Sequence, residues 1–167
     1  MKTIKSINEI NQLSKNDFIG IFGNVFEKTY WIADKAYNLK PYKSFNELSS
    51  KMIEIYEKST KEDYLTIFNA HPELAVEKTL TDDSRKEQIN SNLNQCTEEE
   101  FNEFLSLNDR YNKKFRFPFI IAVKGKNKKE ILDNFRKRIE NKIELEFEEA
   151  KEQVKKIANS RLNKIID

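Results

Sequence analysis

A chain of 167 residues, 38% hydrophobic and 35% charged, is long enough to bury one substantial core. Thirty basic against twenty-eight acidic residues leave a formal charge of +2, with the signs interleaved, which describes a solvated surface and no nucleic-acid footprint. One cysteine, Cys96, excludes an intrachain disulfide, no apolar run approaches membrane-spanning length, and no secretory leader is expected, so the chain reads as cytoplasmic.

With three Gly and three Pro among abundant Lys, Glu, Asn, Ile and Leu, an all-α fold is expected. The expectation is a single-domain multi-helix bundle over 1–167. Ile4, Ile7, Ile10 and Leu13 form a first packing strip. Ser14 to Asp17 offer caps before Phe18, Ile21, Phe22, Val25 and Phe26, and Trp31, Ile32, Ala36, Tyr37 and Leu39 continue that face to Pro41. Ser44-Phe45-Asn46-Glu47 is a capping box, and Ser59 to Asp63 start a further helix through Tyr64 and Phe68. That helix should stop at His71, because Pro72 disfavours helical geometry in the residue before it.

His71 is the only histidine, and so the only side chain with an unperturbed pKa near neutrality. At a helix end beside a turn it can face a cleft; it can equally be structural. Ser84 and Glu87 stand at capping-box spacing, and Gln88 lies one turn after Ser84, so the trio reads either as a helix start or as one face of a site. A second capping box, Thr97 to Glu100, opens a helix carrying Phe101, Phe104, Leu105, Leu107, Asn108 and Tyr111.

Phe115 to Lys126 does not read as helix. It is apolar and β-branched, interrupted by Pro118 and closed by Gly125, with no convincing partner strand elsewhere. One extended apolar segment near 117–124 would leave backbone N–H and C=O groups needing partners, and a polar ligand is one candidate. A strand pairing in a dimer, or a helix, are the alternatives. After a restart at Asn127 to Glu130, a last helix from Ile143 to about Ile165 carries Phe147, Ala150, Val154, Ile157, Ala158 and Leu162 on one stripe. Arg161 falls on that stripe too. A buried guanidinium is costly unless acceptors meet it, so Arg161 either snorkels or finds an acidic ligand group or an internal carboxylate. One His and one distant Cys make no metal site, and Cys96 has no second histidine to activate it.

Three segments occur in order: His71-Pro72-Glu73-Leu74, Ser84-x-x-Glu87-Gln88, and Lys114-Phe115-x-Phe117-Pro118-Phe119-Ile120. With the run from Arg138 through Asn141 and Glu146 to Arg161-Leu162, they resemble the 2-oxo-4-hydroxy-4-carboxy-5-ureidoimidazoline (OHCU) decarboxylases of urate breakdown. The resemblance covers about Phe18 to Leu162. It implies an all-helical, cofactor-free homodimer that takes a small ureidoimidazoline substrate to (S)-allantoin and carbon dioxide, with no metal, nucleic acid or membrane involved. Carried over by motif, His71 would be the catalytic acid/base and Glu87 its partner. Pro72, Ser84, Arg85, Lys86, Glu87 and Gln88 would bind substrate. So would Phe119, Ile120, Ile121, Ala122 and Val123, through the backbone, and Arg161. Two departures stand out: a short loop from Leu74 to Thr81, and Arg116 where members often carry glycine. The rival reading is a non-catalytic helical protein-binding module using the charged last helices.

Overall fold

The computed structural model describes residues 4–75 and 80–166, so the expectation of a short 74–81 loop falls in part, at 76–79, outside them. The described residues form nine helices and no strand: α1 Ile7–Gln12, α2 Lys15–Phe22, α3 Tyr30–Asn38, α4 Phe45–Glu57, α5 Lys61–Ala70, α6 Asp82–Asn90, α7 Glu98–Phe115, α8 Lys128–Arg138 and α9 Ile143–Ile166. None of these helices is long and apolar enough to cross a membrane. The chain divides into two compact units, one of Met1–Ala70 with Lys155–Asp167 and one of His71–Val154.

In the first unit the helix starts follow the cap residues. Ser6, Ser14 and Ser44 each accept from the backbone N–H three residues on, and Thr60 and Asp63 cap each other reciprocally. The apolar face expected from Phe18 through Leu39 is broken into two helices. Gly23 ends α2 at a close approach: a Cβ there would strike the Ile19 carbonyl and the Tyr30 ring. Lys28, at φ 50°, then turns the chain into α3. The core is aromatic. Phe18 packs against Phe22 and Tyr37, and Phe26 stacks on Tyr56, which meets Tyr64 edge-on.

In the second unit Thr97 and Glu100 form the expected capping box at the head of α7. Tyr111 on α7 is the hub of a cluster with Phe115, Phe117, Phe119 and Phe135. Residues 118–123 are neither helix nor strand, as the sequence led us to expect.

The unusual Arg116 also finds its explanation here. It is the C-cap of α7, at φ 66° and ψ 22°, with its N–H bonded to the Asn112 carbonyl. That left-handed position suits glycine, which has no Cβ to crowd the following carbonyl. Arg116→Gly is therefore expected to stabilise the protein by about 0.5–1 kcal/mol, the strain relieved being partly offset by a more flexible unfolded chain. Urea denaturation should show a higher midpoint at unchanged slope; a lower midpoint would mean that the Arg116 side chain contributes more than its backbone strain costs.

Candidate functional site

α5 ends at Ala70, and His71, beyond it, is buried, 9% exposed. Pro72 enforces the break, and the turn that follows is tied down by side chains. Asn112 Nδ2 donates to Glu73 Oε1 at 3.1 Å and Asn108 Nδ2 donates to the Leu74 carbonyl at 3.1 Å. Ala75, at φ 58°, donates its N–H to Gln88 Oε1 at 3.1 Å. The His-Pro turn is thereby fixed to both α6 and α7.

On α6 the N-cap is Thr81, whose hydroxyl accepts from the Ser84 N–H. Ser84 is thus inside the helix and does not cap it, which removes the capping-box reading of Ser84 and Glu87. Ser84 and Gln88, four residues apart, are both buried on one face. Glu87 is half-buried beside them, whereas Arg85 and Lys86 are exposed. Gln88 uses its carbonyl oxygen on Ala75, and its Nε2 makes no hydrogen bond among the described residues. A cavity of about 840 Å³ lies along this helix, bordered by Ala75, Arg85, Gln88, Ile89, Leu93 and Phe101. Of the candidate site residues only Arg85 and Gln88 border it.

The 118–123 segment is buried, and its backbone is met by side chains in place of a partner strand. Arg138 Nη1 donates to the Ile120 carbonyl at 2.7 Å, the Ala122 N–H donates to Gln153 Oε1 at 2.9 Å, and Ser91 Oγ donates to the Val123 carbonyl at 2.9 Å. Lys126 Nζ reaches the Ala122 carbonyl at 3.1 Å. Among the described residues, the N–H and C=O of Ile121 make no hydrogen bond, though the residue is only 5% exposed. A buried backbone donor and acceptor side by side need a partner.

Behind the segment lies a charged cluster. Glu146, fully buried, accepts from Arg138 Nε at 2.7 Å, the Tyr111 hydroxyl at 2.6 Å and Asn141 Nδ2 at 3.1 Å; Arg138 Nη2 lies 2.6 Å from it in an ion pair without hydrogen-bond geometry. Burial, with the Glu146 carboxylate, pushes the Tyr111 hydroxyl far above the ordinary phenol range, so it stays a donor. The Arg138 guanidinium also lies 4.3 Å from the Phe119 ring centre, and the Phe119 ring stacks on Phe135 at 3.9 Å.

Arg161 belongs to the first unit and is 3% exposed, so it does not snorkel. Its guanidinium meets an internal carboxylate, Glu27 Oε2 at 2.8 Å, and the Asn24 carbonyl at 2.9 Å. Glu27 is itself 1% exposed.

Sequence reading passed over Glu27 and named Asn108, Arg138 and Glu146 without giving them a role. The signal that singled out Arg161 was available for Asn108 and Arg138. Asn108 sits on the apolar stripe of α7, and Arg138 follows Ile131, Leu132 and Phe135 on that of α8. Cys96 is half-buried, its thiol donates to the Leu93 carbonyl at 3.3 Å, and burial pushes its pKa up, reinforced by Glu100. That is the opposite of an activated nucleophile. Among the described residues no group of three or more His, Cys, Asp or Glu is placed to hold a metal.

Comparison with known proteins gives this arrangement a lineage. The family profile described as OHCU decarboxylase matches residues 11–163. A uric acid degradation bifunctional protein of Bacillus sp. (strain TB-90) is 40% identical over 95% of the chain, which spans only 32% of that relative's length. A 2-oxo-4-hydroxy-4-carboxy-5-ureidoimidazoline decarboxylase of Haloferax volcanii is 32% identical, with 94% of each chain covered. A crystal structure of (S)-allantoin synthase superposes with a TM-score of 0.79 at 27% identity, covering 98% of this chain and 54% of that one. A profile match that takes in His71, α6, the 118–123 segment and Arg161 places the chain in the OHCU decarboxylase family.

Proposed function

We propose that the chain decarboxylates OHCU to (S)-allantoin and carbon dioxide in urate degradation, acting over 1–167 as one functional domain. The observation that carries this reading is the paired, buried N–H and C=O of Ile121, left without a hydrogen bond among the described residues in a segment otherwise held by side chains. A lactam or ureido group offers the complementary acceptor and donor, and family membership supplies that substrate class. OHCU carries its carboxylate on a ring carbon beside a carbonyl, so the electrons released with carbon dioxide pass into an enolate. The substrate is its own electron sink and no cofactor is needed. The protein must hold the carboxylate, stabilise the enolate and deliver a proton to one face. In this reading His71 delivers the proton with Glu87 as its partner, and Ser84 with Gln88 Nε2 orients the ring. Pro72 keeps His71 out of the helix. Arg85 and Lys86, both exposed, attract the anion at the mouth of the site. The active form is a cytoplasmic homodimer, a reading supported by the exposed apolar side chains Ile89, Phe101 and Leu105.

The test is carbon dioxide release from OHCU by three proteins. Ile121→Val should keep specificity and cost about 0.5–1.5 kcal/mol of stability. Ile121→Pro removes the N–H outright and constrains Ile120, so decarboxylation should fall far more than stability explains. Equal activity in a folded Ile121→Pro protein would remove this backbone from the site.

A further inference from the structure

We propose that Arg138 is a positioning residue that activates the Ile121 N–H through the peptide bond it shares with the Ile120 carbonyl; the inference rests on the decarboxylase reading. The Ile120 C=O and the Ile121 N–H belong to one peptide group. Arg138 Nη1 donates to that carbonyl at 2.7 Å, and a cationic donor draws electron density toward the oxygen. Polarisation passes along the conjugated amide, so the N–H at its other end becomes a stronger donor. That N–H makes no hydrogen bond among the described residues and sits in a segment that the family reading turns toward substrate. Negative charge grows on the substrate oxygen as carbon dioxide leaves, and a strengthened, fixed donor counts most there.

Rigidity is built in as well. Glu146 accepts from Nε of Arg138 and pairs with its charge, Tyr111 and Asn141 fix Glu146, and the guanidinium lies against Phe119, the residue before Ile120. A core needing only to be filled gains little from such a pair. Buried ion pairs can often be replaced by apolar residues of similar volume without loss of stability. Here one donor of the guanidinium goes to the backbone beside the open N–H, which gives the pair a task beyond packing.

The experiment compares wild type with the double variant Arg138→Met/Glu146→Leu. Two readouts are used: steady-state OHCU decarboxylation, and the amide proton shift of Ile121 in the ligand-free protein. The double variant should keep its helical spectrum and melt near wild type. Its kcat should fall on the order of 10–100-fold with little change in KM, because a donor used mainly in the transition state has been weakened. The Ile121 amide proton should move upfield as its peptide loses polarisation. Arg138→Lys, which keeps a cationic donor, should recover part of both effects. A folded double variant with kcat within about twofold of wild type and an unmoved Ile121 amide overturns the inference. If the double variant does not fold, Arg138→Gln, which leaves Glu146 its Tyr111 and Asn141 donors, is judged by the same two readouts. If wild type does not decarboxylate OHCU, the functional reading fails on that arm alone. The amide shift, read without substrate, still decides whether Arg138 polarises the peptide.

Discussion

Replacing His71 by Asn should lower kcat for OHCU decarboxylation by about 10²–10⁴-fold, the range expected when a general acid is lost. His71 is the sole histidine and is buried at a break that Pro72 imposes. Carboxylates and amines abound in the chain, but their ordinary pKa values lie well to either side of neutrality, so none replaces an imidazole as proton donor at pH 7. Asn is close in size and polarity, so the turn held by Asn108, Asn112 and Gln88 should survive. Far-UV circular dichroism should match wild type. A folded Asn variant with near-normal turnover would sink the assignment of His71.

Glu27→Ala should destabilise the protein by about 3–5 kcal/mol, the largest stability effect expected of any single change discussed. Glu27 and Arg161 are 1% and 3% exposed and lie 2.8 Å apart. Removing the carboxylate takes a counter-charge away from a buried guanidinium, and the desolvation of that charge is then less well offset. Glu27→Gln retains an acceptor and should cost less. Denaturant titration measures both variants. A loss below about 1 kcal/mol in Glu27→Ala would show that the pair is not what stabilises this unit.

Local signals were the legible part of the sequence. Ser14, Ser44, Thr97 and Asn127 each head the helix that their spacing announces, and Pro72 stops α5 where expected. These depend on side-chain and backbone chemistry within four residues, which a sequence displays directly. The missed features depend on long-range partners. Glu27 looks like any other glutamate until Arg161, 134 positions later, is placed against it. Arg138 has the same buried-stripe signature as Arg161, yet its role appears only when the Ile120 carbonyl is found within reach of Nη1. Ser84 shows the limit of spacing itself, since Thr81 supplies the cap and moves Ser84 onto the inner face of α6. The break between α2 and α3 escaped notice because apolar periodicity carries across Gly23, whose role is a close approach.

The central claim is stereospecific decarboxylation by this chain, and the enantiomeric composition of the allantoin it forms tests that most directly. Fresh OHCU is mixed with the purified protein, and the product is followed by circular dichroism beside a protein-free control. A proton delivered to one face by a fixed group predicts accumulation of (S)-allantoin at a rate proportional to protein concentration, abolished in His71→Asn. Allantoin of the same optical composition and rate as the protein-free control would contradict the claim.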